Sequence, residues 1–187
     1  MRYAQDHKAV THERIIQEAS ARFRRDGIGA TGLQPLMKAL GLTHGGFYAH
    51  FKSKDELVEK ALRCAADQAT EYSSKAFSEE DGLAAFVDMY LSDTHRDAPE
   101  KGCPLPTMAA ELGQRGQPST ITDELMQAHL GSLDNALLNS ESEVNSVVML
   151  STLVGALMLS RSTQDPALSA RILQTARDWL KHQGDKA

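Results

Sequence analysis

Between Gly41 and Lys54 the chain reads GLTHGGFYAHFKSK, and this run concentrates groups that could do chemistry. Thr43 brings a hydroxyl, His44 and His50 imidazoles, Tyr48 a phenol and Lys54 an ammonium, with Gly45 and Gly46 between them. Such groups donate and accept hydrogen bonds and supply positive charge, which suits phosphates and base edges. The glycines fit that use, because a backbone without side chains can approach another surface closely. Thr31, Gly32 and Lys38, just upstream, extend the set.

Covalent and metal chemistry find less support. There is no serine nucleophile elbow and no carboxylate pair that stands out. The seven histidines are scattered, and His44 and His50 are six positions apart on a short helix. No catalytic residue, metal or cofactor is expected, and the chain is not read as an enzyme. Gly27-x-Gly29-x-x-Gly32 has the letters of a dinucleotide fingerprint but follows a helical pattern where that motif needs a strand. Gly27 reads instead as a helix stop. His95-Arg96-Asp97 and Ala98-Pro99-Glu100 echo kinase motifs that a whole activation loop should separate; His95–Gly102 reads as a polar loop. Cys64 and Cys103 are the only cysteines, so no disulfide framework is indicated. Cys103, between Gly102 and Pro104, reads first as a small buried filler. A thiol near a helix start can also be activated, which makes an oxidant- or electrophile-sensing role the alternative.

The elements that must position the Gly41–Lys54 run are helical. Apolar residues recur at helical spacing, strand signals are almost absent, and the fold class is all-α. A first helix is expected from Thr11 or His12, with Ile15, Ile16, Ala19 and Phe23 inward, ending at Gly27. Thr31 is the expected N-cap of a second helix carrying Leu33, Leu36, Met37 and Leu40, with Pro35 in or just beyond its first turn. Gly41-Leu42-Thr43 then turns the chain into a short third helix. Two short helices joined by a glycine-containing turn make a helix-turn-helix. Ser53-Lys54-Asp55-Glu56 is a capping box that opens a long helix to about Ala76. Further helices are expected over about 80–94, after Pro104 to Gly113, over 119–138 and 143–160, and from Asp165-Pro166 onward.

Charge divides unevenly. Residues 1–63 hold eleven Lys/Arg against seven Asp/Glu, and residues 64–187 nine against eighteen, for an overall net charge of −5. A basic first third suits an anionic partner and an acidic body does not. The N-terminus has no apolar signal core. The longest nearly apolar run, Val147–Leu159, is thirteen residues, short of the roughly 20 needed to cross a bilayer. A soluble, cytoplasmic protein is expected.

From about Thr11 to Leu62 the chain resembles the TetR/AcrR family of bacterial transcriptional regulators. The resemblance lies in THERIIQEASARFRRDGIGATGL and LTHGGFYAHFKSKDEL, above all in Gly-x-Phe-Tyr-x-His-Phe-x-Ser-Lys-x-x-Leu over Gly45–Leu57. GCPLPTMAAEL and GALMLSRSTQDPALSARIL look like one branch of that family. The resemblance implies a nine-helix homodimer: a DNA-binding head, a linking helix from Lys54, and a body dimerising through its last two helices. It implies DNA contacts by Thr31, Thr43, Tyr48, His50 and Lys54. His44 stands where a lysine is common, and Pro35 interrupts the usual polar start of the second helix.

The function expected is a ligand-responsive regulator, a repressor released from a palindromic operator by a small-molecule effector. Residues 1–53 would form the DNA-binding domain and 54–187 the effector-binding and dimerisation domain. The DNA-contacting set is Thr31, Gly32, Lys38, Thr43, His44, Gly45, Gly46, Tyr48, His50 and Lys54. The effector pocket is expected from Phe86, Met89, Tyr90, Cys103, Met108, Leu112, Met126 and His129. The dimer interface is expected from Val147, Leu150, Ser151, Val154, Gly155, Leu168, Ile172 and Trp179. The alternatives are the thiol sensor at Cys103 and, more distantly, a small all-α enzyme.

Overall fold

A computed structural model describes residues 2–137 and 145–184. Among the described residues the regular elements are nine α-helices, two 3-10 helices and one π-helical turn. The expected ends at Leu138 and Glu143 lie outside the described residues.

Helix α1 spans Arg2–Asp26, so it starts well before Thr11. No proline or glycine interrupts residues 2–10, and Ala4, Gln5, Lys8 and Ala9 are good helix formers. The Thr11 hydroxyl donates back to His7 O at 2.9 Å, as a threonine inside a helix does. Ile15, Ile16, Ala19 and Phe23 form the buried stripe. Gly27 ends the helix at φ 89°, a conformation that favours glycine.

Helix α2 is Leu33–Ala39, and its N-cap is Gly32, which corrects the expectation of Thr31. The Thr31 side chain is buried and donates to Gly27 O at 2.7 Å, so it closes the preceding turn instead. Pro35 is the third helical residue, where an N–H would have no intrahelical partner to lose. Gly41, at φ 73°, turns the chain after α2, and Leu42 N–H closes that turn on Met37 O at 2.9 Å. His44–Ala49 follows as a 3-10 helix capped by Thr43.

The long helix α3, Lys54–Phe77, is capped by the Ser53 hydroxyl, which accepts from Glu56 N–H at 3.1 Å. The expected helix over 80–94 divides into α4, Gly82–Tyr90, and α5, Asp93–Asp97. The Ser92 hydroxyl explains the break: it accepts the His95 N–H at 3.0 Å and starts a new helix. A 3-10 turn over Pro99–Lys101 completes a segment that composition presented as a plain loop. The π-helical turn Leu105–Ala109 runs into α6, Ala110–Gln114. Helices α7 (Thr120–Leu137), α8 (Ser146–Ser162) and α9 (Pro166–Gly184) complete the chain.

One apolar core joins head and body, running from Phe23, Phe47 and Leu57 through Ala65 and Phe86 to Leu153 and Leu180. Helix α8 buries Met149, Leu150, Leu153 and Leu157 in that core and exposes Val147, Val148, Met158 and Leu159.

Candidate nucleic-acid interface and internal cavity

The Gly41–Lys54 run forms a ledge on the surface of the head. Phe47 and Phe51 are buried and stack with ring centroids 5.4 Å apart, which anchors the 3-10 helix from beneath. His12 of α1 stacks on Phe51 at 4.5 Å and fixes the ledge against α1. With the aromatics on the inner side, Thr43, His44, Gly45 and Tyr48 are left exposed, and Gly46 is half-buried. The Thr43 hydroxyl accepts the Gly46 N–H at 3.2 Å, and Tyr48 is 62% exposed. Lys38 and Lys52 are exposed nearby in the sequence. A Cβ added at Gly45 would meet nothing within 4 Å, so the fold itself does not require glycine there.

Other members of the expected set are occupied internally. The Lys54 ammonium donates to Ile28 O at 2.7 Å and Thr31 O at 2.8 Å. Proline at position 35 leaves the Thr31 carbonyl without the usual helical N–H, and the ammonium takes that place. Burial lowers the Lys54 pKa, with Arg115 nearby adding to the shift. Gly32 passes close to the Pro35 ring, which a Cβ would meet at 3.1 Å. His50 is half-buried with Nδ1 unpartnered; burial, then His12 and Lys8, lower its pKa. Arg24, read as part of the basic surround, is 4% exposed and turns into the body. It donates to Gly102 O at 3.0 Å and to Gln68 Oε1 at 2.8 Å.

The body encloses a cavity of about 240 Å³ between α3, α4, the α5 segment and α7. Phe86, Met89, Tyr90, Cys103 and His129 of the expected set line it, together with Ala69, Tyr72, Ser92, Thr94, His95, Ala98, Lys101 and Gly102. Met108, Leu112 and Met126 do not line it. Met108 and Leu112 are buried in the core and Met126 packs against it, because the π-helical turn rotates residues 105–109 away from regular helical spacing.

His95 is the cavity residue that sequence reading missed. Its Nε2 accepts the Cys103 N–H at 3.0 Å, so its Nδ1 carries the proton and donates to Tyr90 O at 2.7 Å. Burial pulls its pKa down to about 4, keeping the ring neutral. Gly102 makes the arrangement fit, since a Cβ there would overlap the His95 ring. Arg161 of α8 clamps the same segment, donating to Arg96 O at 3.1 Å and also to His95 O. The Cys103 thiol is buried, its pKa raised by desolvation, and it lies against the Tyr90 hydroxyl. Among the described residues no group of three His, Cys, Asp or Glu could hold a metal, and no helix is long and apolar enough to cross a membrane.

On α8 and α9 a shallow apolar groove is lined by Gly155, Leu159, Leu168, Ile172 and Trp179. Of the expected interface set, Val147, Ser151 and Trp179 are exposed, while Val154, Gly155, Leu168 and Ile172 are half-buried. Leu150 is 7% exposed and faces the chain's own core, which removes it from that face.

Residues 15–61 match the sequence profile described as bacterial regulatory proteins, tetR family. Over this head the chain belongs to the TetR family. The TetR-type head is 34% identical over 55 residues to the HTH-type transcriptional repressor KstR2 of Mycolicibacterium smegmatis, covering 29% of this chain and 27% of that protein. It is 41% identical over 49 residues to the HTH-type regulator YerO of Bacillus subtilis, covering 26% of this chain and 17% of YerO. The matches therefore span less than a third of either relative. Beyond the head the likeness is one of fold. A TetR regulator from Chloroflexus aurantiacus superposes with a TM-score of 0.73 at 24% identity, covering 98% of both chains. Reduced NemR from Escherichia coli gives 0.75 at 19% identity, covering 92% of this chain and 95% of that one.

Proposed function

We propose that this chain regulates transcription as a homodimer that binds a palindromic DNA site and is released from it by a small-molecule effector. The observation that carries the reading is the exposed Thr43–Tyr48 ledge, held on buried Phe47 and Phe51 within a TetR-type head. Residues 1–53 form the DNA-reading unit and 54–187 the effector-binding and dimerisation unit. Thr43, His44, Gly45, Gly46 and Tyr48 enter the major groove, and Lys38 meets phosphate. Thr31 and Lys54 act by holding the turn before α2 in shape. Few long side chains reach from the ledge, so much of the affinity comes from phosphates and falls with salt.

Two heads must lie about 34–36 Å apart to reach successive major grooves. The exposed apolar face of α8 and α9 supports pairing of two copies at the end of the body. An effector in the cavity binds one spacing of the heads better than the other, and that difference in affinity is what shifts the equilibrium. A repressor is the favoured sense, in keeping with KstR2, which is named as one. The thiol-sensor alternative is weakened by the burial of Cys103, which raises its pKa where a sensor needs a thiolate. An electrophoretic mobility shift on a selected DNA fragment, with compounds and with mild oxidant, separates the readings. Release by a compound that leaves Cys103→Ser equally responsive supports the proposal; release by oxidant alone overturns its effector half.

A further inference from the structure

The internal cavity carries more specific chemistry than an effector site of unstated kind. Its walls are aromatic, with Tyr72, Phe86 and Tyr90 lining it and the Tyr90 and His129 rings lying 5.7 and 5.8 Å from the Phe86 ring. Two of its polar side chains lack partners. The Tyr90 hydroxyl and both ring nitrogens of His129 make no hydrogen bond, although each residue is only 2% exposed. A buried polar group left unpaired costs about 1–3 kcal/mol, and folded proteins keep few of them. His129 is uncharged, because burial, with no charged neighbour to oppose it, lowers its pKa to about 4. A neutral imidazole offers one donor and one acceptor, and a phenol offers both from one oxygen. The one charged side chain on the wall, Lys101, is exposed at the surface rather than beside these groups.

Size narrows the choice further. A cavity of about 150 Å³ accommodates benzene, so by proportion the roughly 240 Å³ here holds about ten non-hydrogen atoms. We propose that the cavity takes a small, uncharged aromatic compound bearing a hydroxyl or carbonyl group, recognised by hydrogen bonds from Tyr90 and His129. A hydrocarbon of the same shape leaves both side chains unpaired. A carboxylate would bring charge into an apolar site with no cation beside it. The inference rests on the effector reading of the cavity and gives that effector a chemical class.

Three probes of matched shape test it on the full-length chain by isothermal titration calorimetry. p-Cresol and p-xylene differ only by hydroxyl against methyl, and p-toluate adds the negative charge. p-Cresol is expected to bind roughly tenfold or more tightly than either of the others. Tyr90→Phe and His129→Leu are expected to stay folded and to bring p-cresol and p-xylene to similar affinities. Equal binding of p-xylene, tighter binding of p-toluate, or no heat from any probe up to about 1 mM overturns the proposal. The wild-type comparison decides the matter even where a variant fails to fold. The readout is ligand binding without DNA, so its failure leaves the DNA-binding reading standing, and failure of DNA binding leaves this result standing.

Discussion

Glu111 holds the backbone of Ile28. Its Oε2 accepts the Ile28 N–H at 2.6 Å, and its Oε1 accepts the Gly29 N–H at 2.8 Å, across 83 and 82 positions of sequence. From the other side Lys54 donates to Ile28 O and Thr31 O. The turn that launches α2 is thus gripped by a carboxylate on its N–H groups and an ammonium on its carbonyls. The carboxylate belongs to α6, which continues from the π-helical turn just beyond Cys103. A contact therefore runs from the wall of the cavity to the start of the DNA-reading unit.

Removing that grip should be felt in stability and in DNA binding together. Hydrogen bonds to a charged group contribute about 1.5–3 kcal/mol each when well made, less where water reaches them. Glu111→Ala is expected to lower stability by about 2 kcal/mol, read as a fall in urea midpoint at unchanged slope. The same variant should bind DNA more weakly, because α2 and the ledge lose their fixed position on the body. A variant with wild-type midpoint and wild-type affinity would show the contact to be idle.

Acidification should weaken the fold through two histidines. His95 and His129 each have a pKa pulled down to about 4 by burial, against about 6.5 in an unfolded chain. Between those values the unfolded state binds more protons, so the histidines' stabilising contribution is complete above about pH 6.5 and is lost as pH falls toward 4. The slope is up to about 1.4 kcal/mol per pH unit for each histidine. Urea unfolding at pH 7, 6 and 5 should show a steady decline, and His129→Leu should remove about half of it. An unchanged decline in that variant would contradict the assignment.

Gly45 separates the needs of the fold from those of the partner. A Cβ there meets nothing within 4 Å, so Gly45→Ala should leave the melting temperature unchanged or raise it slightly, since alanine is the better helix former by about 1 kcal/mol. If the ledge enters a groove, the added methyl blocks close approach, and DNA affinity should fall by roughly tenfold or more. Fluorescence anisotropy on a selected DNA fragment measures it. Wild-type affinity in Gly45→Ala would mean that this backbone does not approach DNA.

Much of the head was legible because its determinants are local. Thr43, Ser53 and Asp165 each sit within a few residues of the N–H they cap, and the Phe47 and Phe51 pattern reads directly as an inner face. The cavity was legible in part. Phe86, Met89, Tyr90 and His129 lie on helices regular enough for spacing to place them. Met108 and Leu112 were misplaced because a π-helical turn changes the angular step per residue. His95, Arg24 and Arg161 escaped notice because their bonds reach 8, 78 and 65 positions along the chain, to Cys103, Gly102 and Arg96. A polar composition over 95–102 concealed a buried arrangement, for which Gly102 was the one sequence signal.

The outer face of α8 and α9 makes its own prediction. Leu159 is 59% exposed and Trp179 43%, beside the groove lined by Leu168 and Ile172. If two copies pair there, Leu159→Asp buries an unpaired charge at the centre of the contact and should convert dimer to monomer. Sedimentation equilibrium reads the mass directly, and DNA affinity should fall with it. A variant that remains dimeric would place the pairing surface elsewhere.

The central claim is that the Thr43–Tyr48 ledge reads DNA sequence. The most direct measurement is selection of genomic fragments by the purified full-length protein at about physiological ionic strength, where non-specific phosphate contacts are largely screened. The account predicts enrichment of fragments sharing a two-fold-symmetric sequence, lost with Gly45→Ala while that variant remains folded. Recovery of fragments in proportion to bulk DNA, with no shared sequence, would contradict it.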